Sequence, residues 1–433
     1  MLKRLIFGLI LLSLLPVSTQ ARAQSRAVAK NSTKLIQLRV IGSQRFSSEV
    51  IAAATGLKLG EDASDAPLKQ AADRLAATGM FSDITYSYVS SPKGTNAEFK
   101  VTDMDKLFPA FFDNFVWMSS ADLLKELQRR EPLFVGKIPN AGEMSERLTD
   151  DLKNILESMN VTATVKVFPR MPQYGGELMG FSYSVEGVKI PVVSVEFPGA
   201  SPEIAPILQK AAADSTLLGS NYSEMKLRSI AGLDFAAQYH MRGYLKVAFG
   251  DPAAELHDRT SGSVAVTLPV QQGMQYKLAG IQWAGNKAFS QDELIKTLKS
   301  EPGRPLDQVK MEEEVGGISR VYGTRGYMDA RLDPQYNCND ASQTVAVVIQ
   351  VREGEQYHLG TVEFRGLSEN ATASLRQQWK LHPGDTYDSS YPSLFLSGIS
   401  RQFDLSRVKI QYKQELHHDA KTVDLIFTFA PKT

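Results

Sequence analysis

Between residues 273 and 353 the spacing of apolar positions changes in a fixed order. Leu278, Ile281 and Trp283 mark a half-buried strand, and Gly285-Asn286 closes it as a turn. Ser290 then stands ahead of Asp292-Glu293, with Leu294, Ile295 and Leu298 at helical spacing, which predicts a capped amphipathic helix. Pro302-Gly303 ends it. Asp307 caps a second helix through Val309, Met311, Val315, Ile318 and Val321, stopping at Gly326. Two strands follow, Tyr327–Leu332 and Thr344–Val351, joined by a loop rich in Asn and Asp. The unit reads β-α-α-β-β.

This unit occurs again. Gly273-Met-Gln-Tyr-Lys-Leu-Ala-Gly-Ile-Gln-Trp-Ala-Gly285 returns as Gly354-Glu-Gln-Tyr-His-Leu-Gly-Thr-Val-Glu-Phe-Arg-Gly366 at a constant offset of 81. Pro302-Gly303 and Asp307 meet Pro383-Gly384 and Asp388 at the same offset, so a whole folded unit is repeated. Weaker echoes run upstream. They predict an α+β chain: a linear array of five β-α-α-β-β modules, each a three-stranded sheet packed on two helices. The expected modules are residues 34–104, 105–188, 189–272, 273–353 and 354–431, the second being the most divergent. Its first strand is expected to hold Phe111, Phe115 and Trp117. The third hairpin is expected to pair Tyr244–Phe249 with Ser263–Val270.

Residues 1–23 stand apart from the folded chain. Lys3-Arg4, the apolar run Leu5–Val17 and Ala21-Arg22-Ala23 form a secretory leader, with Gln24 expected as the mature N-terminus. The rival reading is an uncleaved anchor, but a run of 13 apolar residues falls short of the ~20 that span a bilayer. No transmembrane segment is expected after cleavage.

Composition narrows the function classes. Apolar residues make up 43%, as in an ordinary globular chain. The 48 basic and 48 acidic side chains cancel, which argues against nucleic acid as a partner. With Cys338 alone no intramolecular disulfide can form. No nucleophile triad, phosphate loop, dinucleotide fingerprint or Cys-rich metal site occurs, so neither an enzyme nor a cofactor is expected. His417-His418-Asp419 and Cys338 are expected in solvated hairpin loops, and Glu312-Glu313-Glu314 on the wet face of a helix.

A strand ending in Gly, two helices of which the second ends in Gly-Tyr or Gly-x-Phe, and a closing hairpin resemble the polypeptide-transport-associated (POTRA) domain. The residues that carry the resemblance are Val40-Ile41-Gly42 with Gly79-Met80-Phe81, and Trp283-Ala284-Gly285-Asn286 with Gly326-Tyr327. Five tandem copies behind a leader resemble the periplasmic arm of the outer-membrane barrel-assembly factor family. After residue 431 no run of ~10-residue alternating strands follows, so only the arm's role is carried over. The resemblance implies a periplasmic protein, peripherally associated with the outer membrane. Its implied partners are unfolded outer-membrane protein segments, an outer-membrane barrel or other envelope proteins. The alternative is a structural scaffold of an envelope or cell-division complex.

Strand addition at a sheet edge suits a protein that meets many unfolded chains, because main-chain hydrogen bonds read no sequence. The expected edge is Tyr244, Leu245, Lys246, Val247, Ala248 and Phe249, which alternates and lacks proline. The equivalent Met328–Asp333 is more charged, ends at Pro334 and is expected to dock partners less well.

Overall fold

Each hairpin leaves its sequence-last strand in the middle of a sheet. In the computed structural model, which describes residues 22–23, 32–172, 175–258, 262–402 and 408–431, Thr344–Arg352 runs parallel to Lys277–Ala284 and antiparallel to Arg331–Asn339. The order recurs with His358–Arg365, Thr422–Pro431 and Val408–His417, and with Leu35–Ile41, Gly94–Asp103 and Phe81–Ser91. Phe108–Phe112, Gly180–Glu186 and Thr164–Arg170 repeat it, as do Val192–Glu196, Ser263–Thr267 and Ala253–Asp258. Two helical segments separate the first of these three strands from the hairpin in each set, and two sheets carry a short fourth strand, Arg22–Ala23 beside Phe81–Ser91 and Lys137–Ile138 beside Phe108–Phe112. The chain is α+β, with small sheets and helices in the arrangement of POTRA-like modules.

The central strand is the one that the core needs. Val345, Val347 and Ile349 are fully buried, alternating with half-buried neighbours. They meet Met311, Val315 and Ile318 from the helix Gln308–Gly323, whose start is capped by the Asp307 carboxylate accepting from the Lys310 N–H. The preceding short helix opens with a full capping box, Ser290 and Glu293 each accepting from the other's backbone N–H.

The turn glycines are forced. Gly285 and Gly366 lie at φ +90° and +83°, and a β-carbon at either would collide with the carbonyl oxygen of Val351 or Phe429 on the central strand. Gly42 and Gly199 repeat the arrangement against Val101 and Val270. In the second sheet buried Asn114 takes over. Its side-chain amide donates to the Val185 carbonyl at 2.9 Å and accepts from the Val185 N–H at 2.7 Å.

The chain divides into two compact units. The first comprises residues 1–195, 216–228 and 252–266, and the second residues 196–215, 229–251 and 267–433. In the first, one continuous core joins Leu35, Phe81 and Phe99 to Phe134, Leu148 and Tyr183. In the second, separate cores form around Tyr276, Met311 and Val347, and around Tyr357, Trp379 and Phe427.

Several expectations change. Beyond the backbone of Arg22–Ala23, the leader lies outside the described residues, as does Phe403, which follows the helix Tyr391–Gln402. The strand at Phe108 stops at Phe112, so Phe115 and Trp117 fall in the segment after it. Cys338 is not in a loop but in the strand Arg331–Asn339, half-buried against the core, where burial pushes its thiol up. Pro334 lies inside that strand rather than ending it, opposite Ile349. An edge strand tolerates this, because its outer side owes no ladder hydrogen bond. Glu312 and Glu313 are exposed, but Glu314 turns inward and accepts from the Lys299 N–H at 3.1 Å.

Replacing Gly366 with Val combines a left-handed backbone with a blocked β-carbon and is expected to cost more than about 2 kcal/mol. Hydrogen exchange of the full chain checks it: protection should fall in residues 357–430 and hold in residues 276–352. Equal loss in both stretches would contradict the assignment.

Candidate functional site

The helix before Tyr244 ends in a Schellman motif. Gly243 is left-handed at φ +84°, its N–H donates to the His240 carbonyl, and the Tyr244 N–H donates to the Tyr239 carbonyl. Tyr244 packs edge-on against Tyr239 at 5.9 Å. The fourth repeat does the same with Gly326, Tyr327 and Tyr322. The Gly-Tyr signature therefore belongs to the helix cap and not to a strand.

This moves the expected edge. Of Tyr244–Phe249 only Ala248-Phe249 is strand, paired antiparallel with Val270-Gln271 outside the three-stranded sheet. The expected alternation survives as half-buried Leu245, Val247 and Phe249 against exposed Lys246 and Ala248. The surroundings differ from those expected. Leu245 packs on the core around Tyr276, and Lys246 Nζ lies 2.6 Å from Asp340 Oδ1 and 5.4 Å from the Tyr276 ring. The hydrogen bond to Asp340, then that to Tyr276, raises the Lys246 ammonium above its ordinary value. Gly250 N–H donates to the Pro269 carbonyl, so the Ala248 N–H, two residues earlier, also faces the pairing side.

The strongest part of the sequence repeat is a joint. Tyr276 and Tyr357 are 1% and 0% exposed. Their N–H groups donate to the Gly243 and Gly326 carbonyls, each at 2.8 Å, and their carbonyls accept from Leu306 and Tyr387, each at 3.0 Å. Gln275 and Gln356 donate their side-chain amides to the carbonyls of Arg242 and Arg325, both at 2.9 Å. Gln-Tyr thus satisfies carbonyls left orphaned at the end of the preceding helix. The phenol of Tyr276 donates to Asp340 and that of Tyr357 to Asp329, each at 2.7 Å. His418 Nδ1 also lies 2.7 Å from the Tyr357 phenol, while His417 Nε2 faces Asp424 at 2.9 Å. The two imidazoles serve separate partners. Among the described residues no cluster of His, Cys, Asp or Glu is arranged to hold a metal.

In the sheet of Val192–Glu196, Ser263–Thr267 and Ala253–Asp258, the last of these is an edge strand. Among the described residues its outer side pairs with no strand. It borders a cleft of about 380 Å³. Pro252–Leu256, Phe112, Asp113, Phe115–Ser120, Tyr222 and Glu224 line it. Phe115 and Trp117 meet edge-to-face at 5.6 Å, both half-buried. Asp113 anchors the site: its carbonyl accepts from the Glu224 N–H and its carboxylate from the Met225 N–H and the Ser223 hydroxyl. Burial, followed by the charges of Glu224 and Asp113, pushes the Tyr222 phenol up. Sequence reasoning missed this strand. Proline at 252 and the short Ala-Ala run in 253–258 gave a weak strand signal beside Tyr244–Phe249.

Residues 276–354 match the POTRA family model, described as surface antigen variable number repeat. The chain therefore carries a POTRA domain over that stretch. It is 24% identical over 221 residues to a putative outer membrane protein assembly factor of Treponema pallidum, covering 50% of this chain and 26% of that protein. It is 22% identical over 220 residues to the outer membrane protein assembly factor BamA of Neisseria meningitidis, covering 47% of this chain and 27% of that protein. The chain thus aligns with about a quarter of the length of these relatives. The crystal structure of Haemophilus influenzae BamA POTRA3-5 is 21% identical, with a TM-score of 0.42, covering 55% of this chain and 95% of that one. No described helix is long and apolar enough to cross a membrane.

Gly326→Ala tests the joint. A β-carbon there would stand 2.7 Å from the Tyr357 carbonyl oxygen, on a backbone at φ +83°. The expected cost is about 1–3 kcal/mol, read as faster amide exchange at Tyr357 with Tyr276 unchanged. An unchanged rate at Tyr357 would show that the contact does not hold the two repeats together.

Proposed function

We propose that the chain is a non-catalytic polypeptide-binding scaffold of the periplasm, peripherally associated with the outer membrane. It docks segments of unfolded outer-membrane proteins, or a barrel partner, by strand addition at the edges of its sheets. The reading takes the chain as five modules, 34–104, 105–188, 189–272, 273–353 and 354–431, behind a cleaved leader.

The observation that carries the reading is the Ala253–Asp258 edge, with no strand on its outer side among the described residues and an open cleft alongside. Unpaired N–H and C=O groups in a row are a template for another extended chain. The names of the relatives, assembly factors of the outer membrane, support the choice of partner class. The expected edge at Tyr244–Phe249 is replaced in this proposal, because its first half is a helix cap committed to the next repeat. Arg331–Asn339 is a weaker edge, since Pro334 removes one outward donor.

Backbone methylation separates strand addition from unspecific apolar contact. An extended apolar peptide is titrated against the full chain, then two versions N-methylated at alternate residues. One methylated register should lose about tenfold or more in affinity and the other little, because only alternate N–H groups face the edge. Equal affinity of both registers would remove strand addition, and no binding by the parent peptide would remove the polypeptide-binding reading.

A further inference from the structure

We infer that the cleft beside Ala253–Asp258 selects an extended segment in which an aromatic or large aliphatic side chain sits next to a lysine or arginine. The inference rests on the polypeptide-binding reading and specifies the chemistry of its partner.

The edge strand determines the partner's conformation. A chain that satisfies a row of main-chain donors and acceptors must be extended, and its side chains then alternate between two faces. The edge strand itself alternates. Ala253, Glu255 and His257 are exposed, while Ala254 and Leu256 are half-buried. An added strand would therefore meet apolar Ala254 and Leu256 on one face and Glu255, between Ala253 and His257, on the other.

The rest of the lining supplies the apolar contact. Trp117 is half-buried, whereas Trp283 and Trp379 are 6% and 8% exposed inside their cores. An indole left partly open, braced edge-to-face by Phe115, presents a rigid surface to an incoming ring or branched aliphatic group.

Charge completes the selection. Among the described residues the lining holds Asp113, Glu224 and Glu255 and no lysine or arginine. Asp113 is engaged by Ser223 and Met225, and Glu224 by Arg228 Nε at 2.7 Å. Glu255 is exposed and carries no ion pair among the described residues. On a paired strand, a basic side chain opposite it is the favourable partner and an acidic one the unfavourable partner.

Three fluorescein-labelled peptides of alternating Val and Thr test the inference on the full chain. One carries central Phe-Lys, one Phe-Glu and one Ser-Lys. Anisotropy gives affinity, and tryptophan emission reports the cleft. Wild type is expected to prefer Phe-Lys. Glu255→Lys should weaken that peptide about fivefold and strengthen Phe-Glu, at the upper end for an exposed pair. Trp117→Ala should weaken both Phe peptides about tenfold or more and leave Ser-Lys unchanged, with Trp117→Phe retaining most of the affinity. Circular dichroism confirms that each variant is folded. If the three peptides bind alike to wild type and both variants, the cleft assignment is overturned while the polypeptide-binding reading stands. If none binds wild type, the broader reading falls and this inference falls with it.

Discussion

Much of this structure depends on how a helix ends. After the last turn, four backbone carbonyls lack helical partners and must find donors elsewhere. A left-handed glycine at 243 or 326 turns the chain, and the next repeat closes on it with the Tyr276 or Tyr357 N–H and the Gln275 or Gln356 amide. One set of hydrogen bonds thus serves both as helix cap and as link to the following repeat. The tyrosine ring, fully buried, adds apolar contact to the polar closure. Gly-x-Gln-Tyr is therefore the most faithfully repeated stretch of the chain.

The same closure decides which strand edges remain free. Because the Schellman cap consumes Tyr244 and Leu245-Lys246 lean on the next repeat, Tyr244–Val247 cannot extend into a ladder. The hairpin strand forms later, at Ala253, where its outer side meets a cleft instead of a neighbouring core. In the fourth repeat the strand likewise starts at Arg331, after the cap at Gly326-Tyr327, and Pro334 blunts its edge. On the proposed reading, a short edge beside an aromatic, acidic cleft would be a more selective surface than a long bare edge. Blunting elsewhere limits unwanted pairing.

The strand-end glycines impose a second constraint. At Gly285 and Gly366 the turn passes so close to the central strand that a β-carbon has no room against its carbonyl. The second sheet meets the same need with the Asn114 side chain, which bonds both backbone groups of Val185. That substitution changes the local sequence signature without changing strand order.

Sequence alone determined the α+β character, the 81-residue repeat and most helices, because these rest on local periods, caps and glycines. Ser290, Asp307 and Gly285 act within a few residues of themselves, so their roles could be read along the chain. Tertiary structure decided what the Gly-Tyr signature does, since a tyrosine after glycine suits a strand start and a helix cap equally until its partners are in place. It also decided the open edge. Ala253–Asp258 has weak intrinsic strand preference and is held by pairing with Ser263–Thr267. Phe115 and Trp117, which alternation placed in a core strand, became the wall of a cleft once the strand ended at Phe112. Local patterns specify elements; which surfaces remain uncovered depends on contacts between residues distant in sequence.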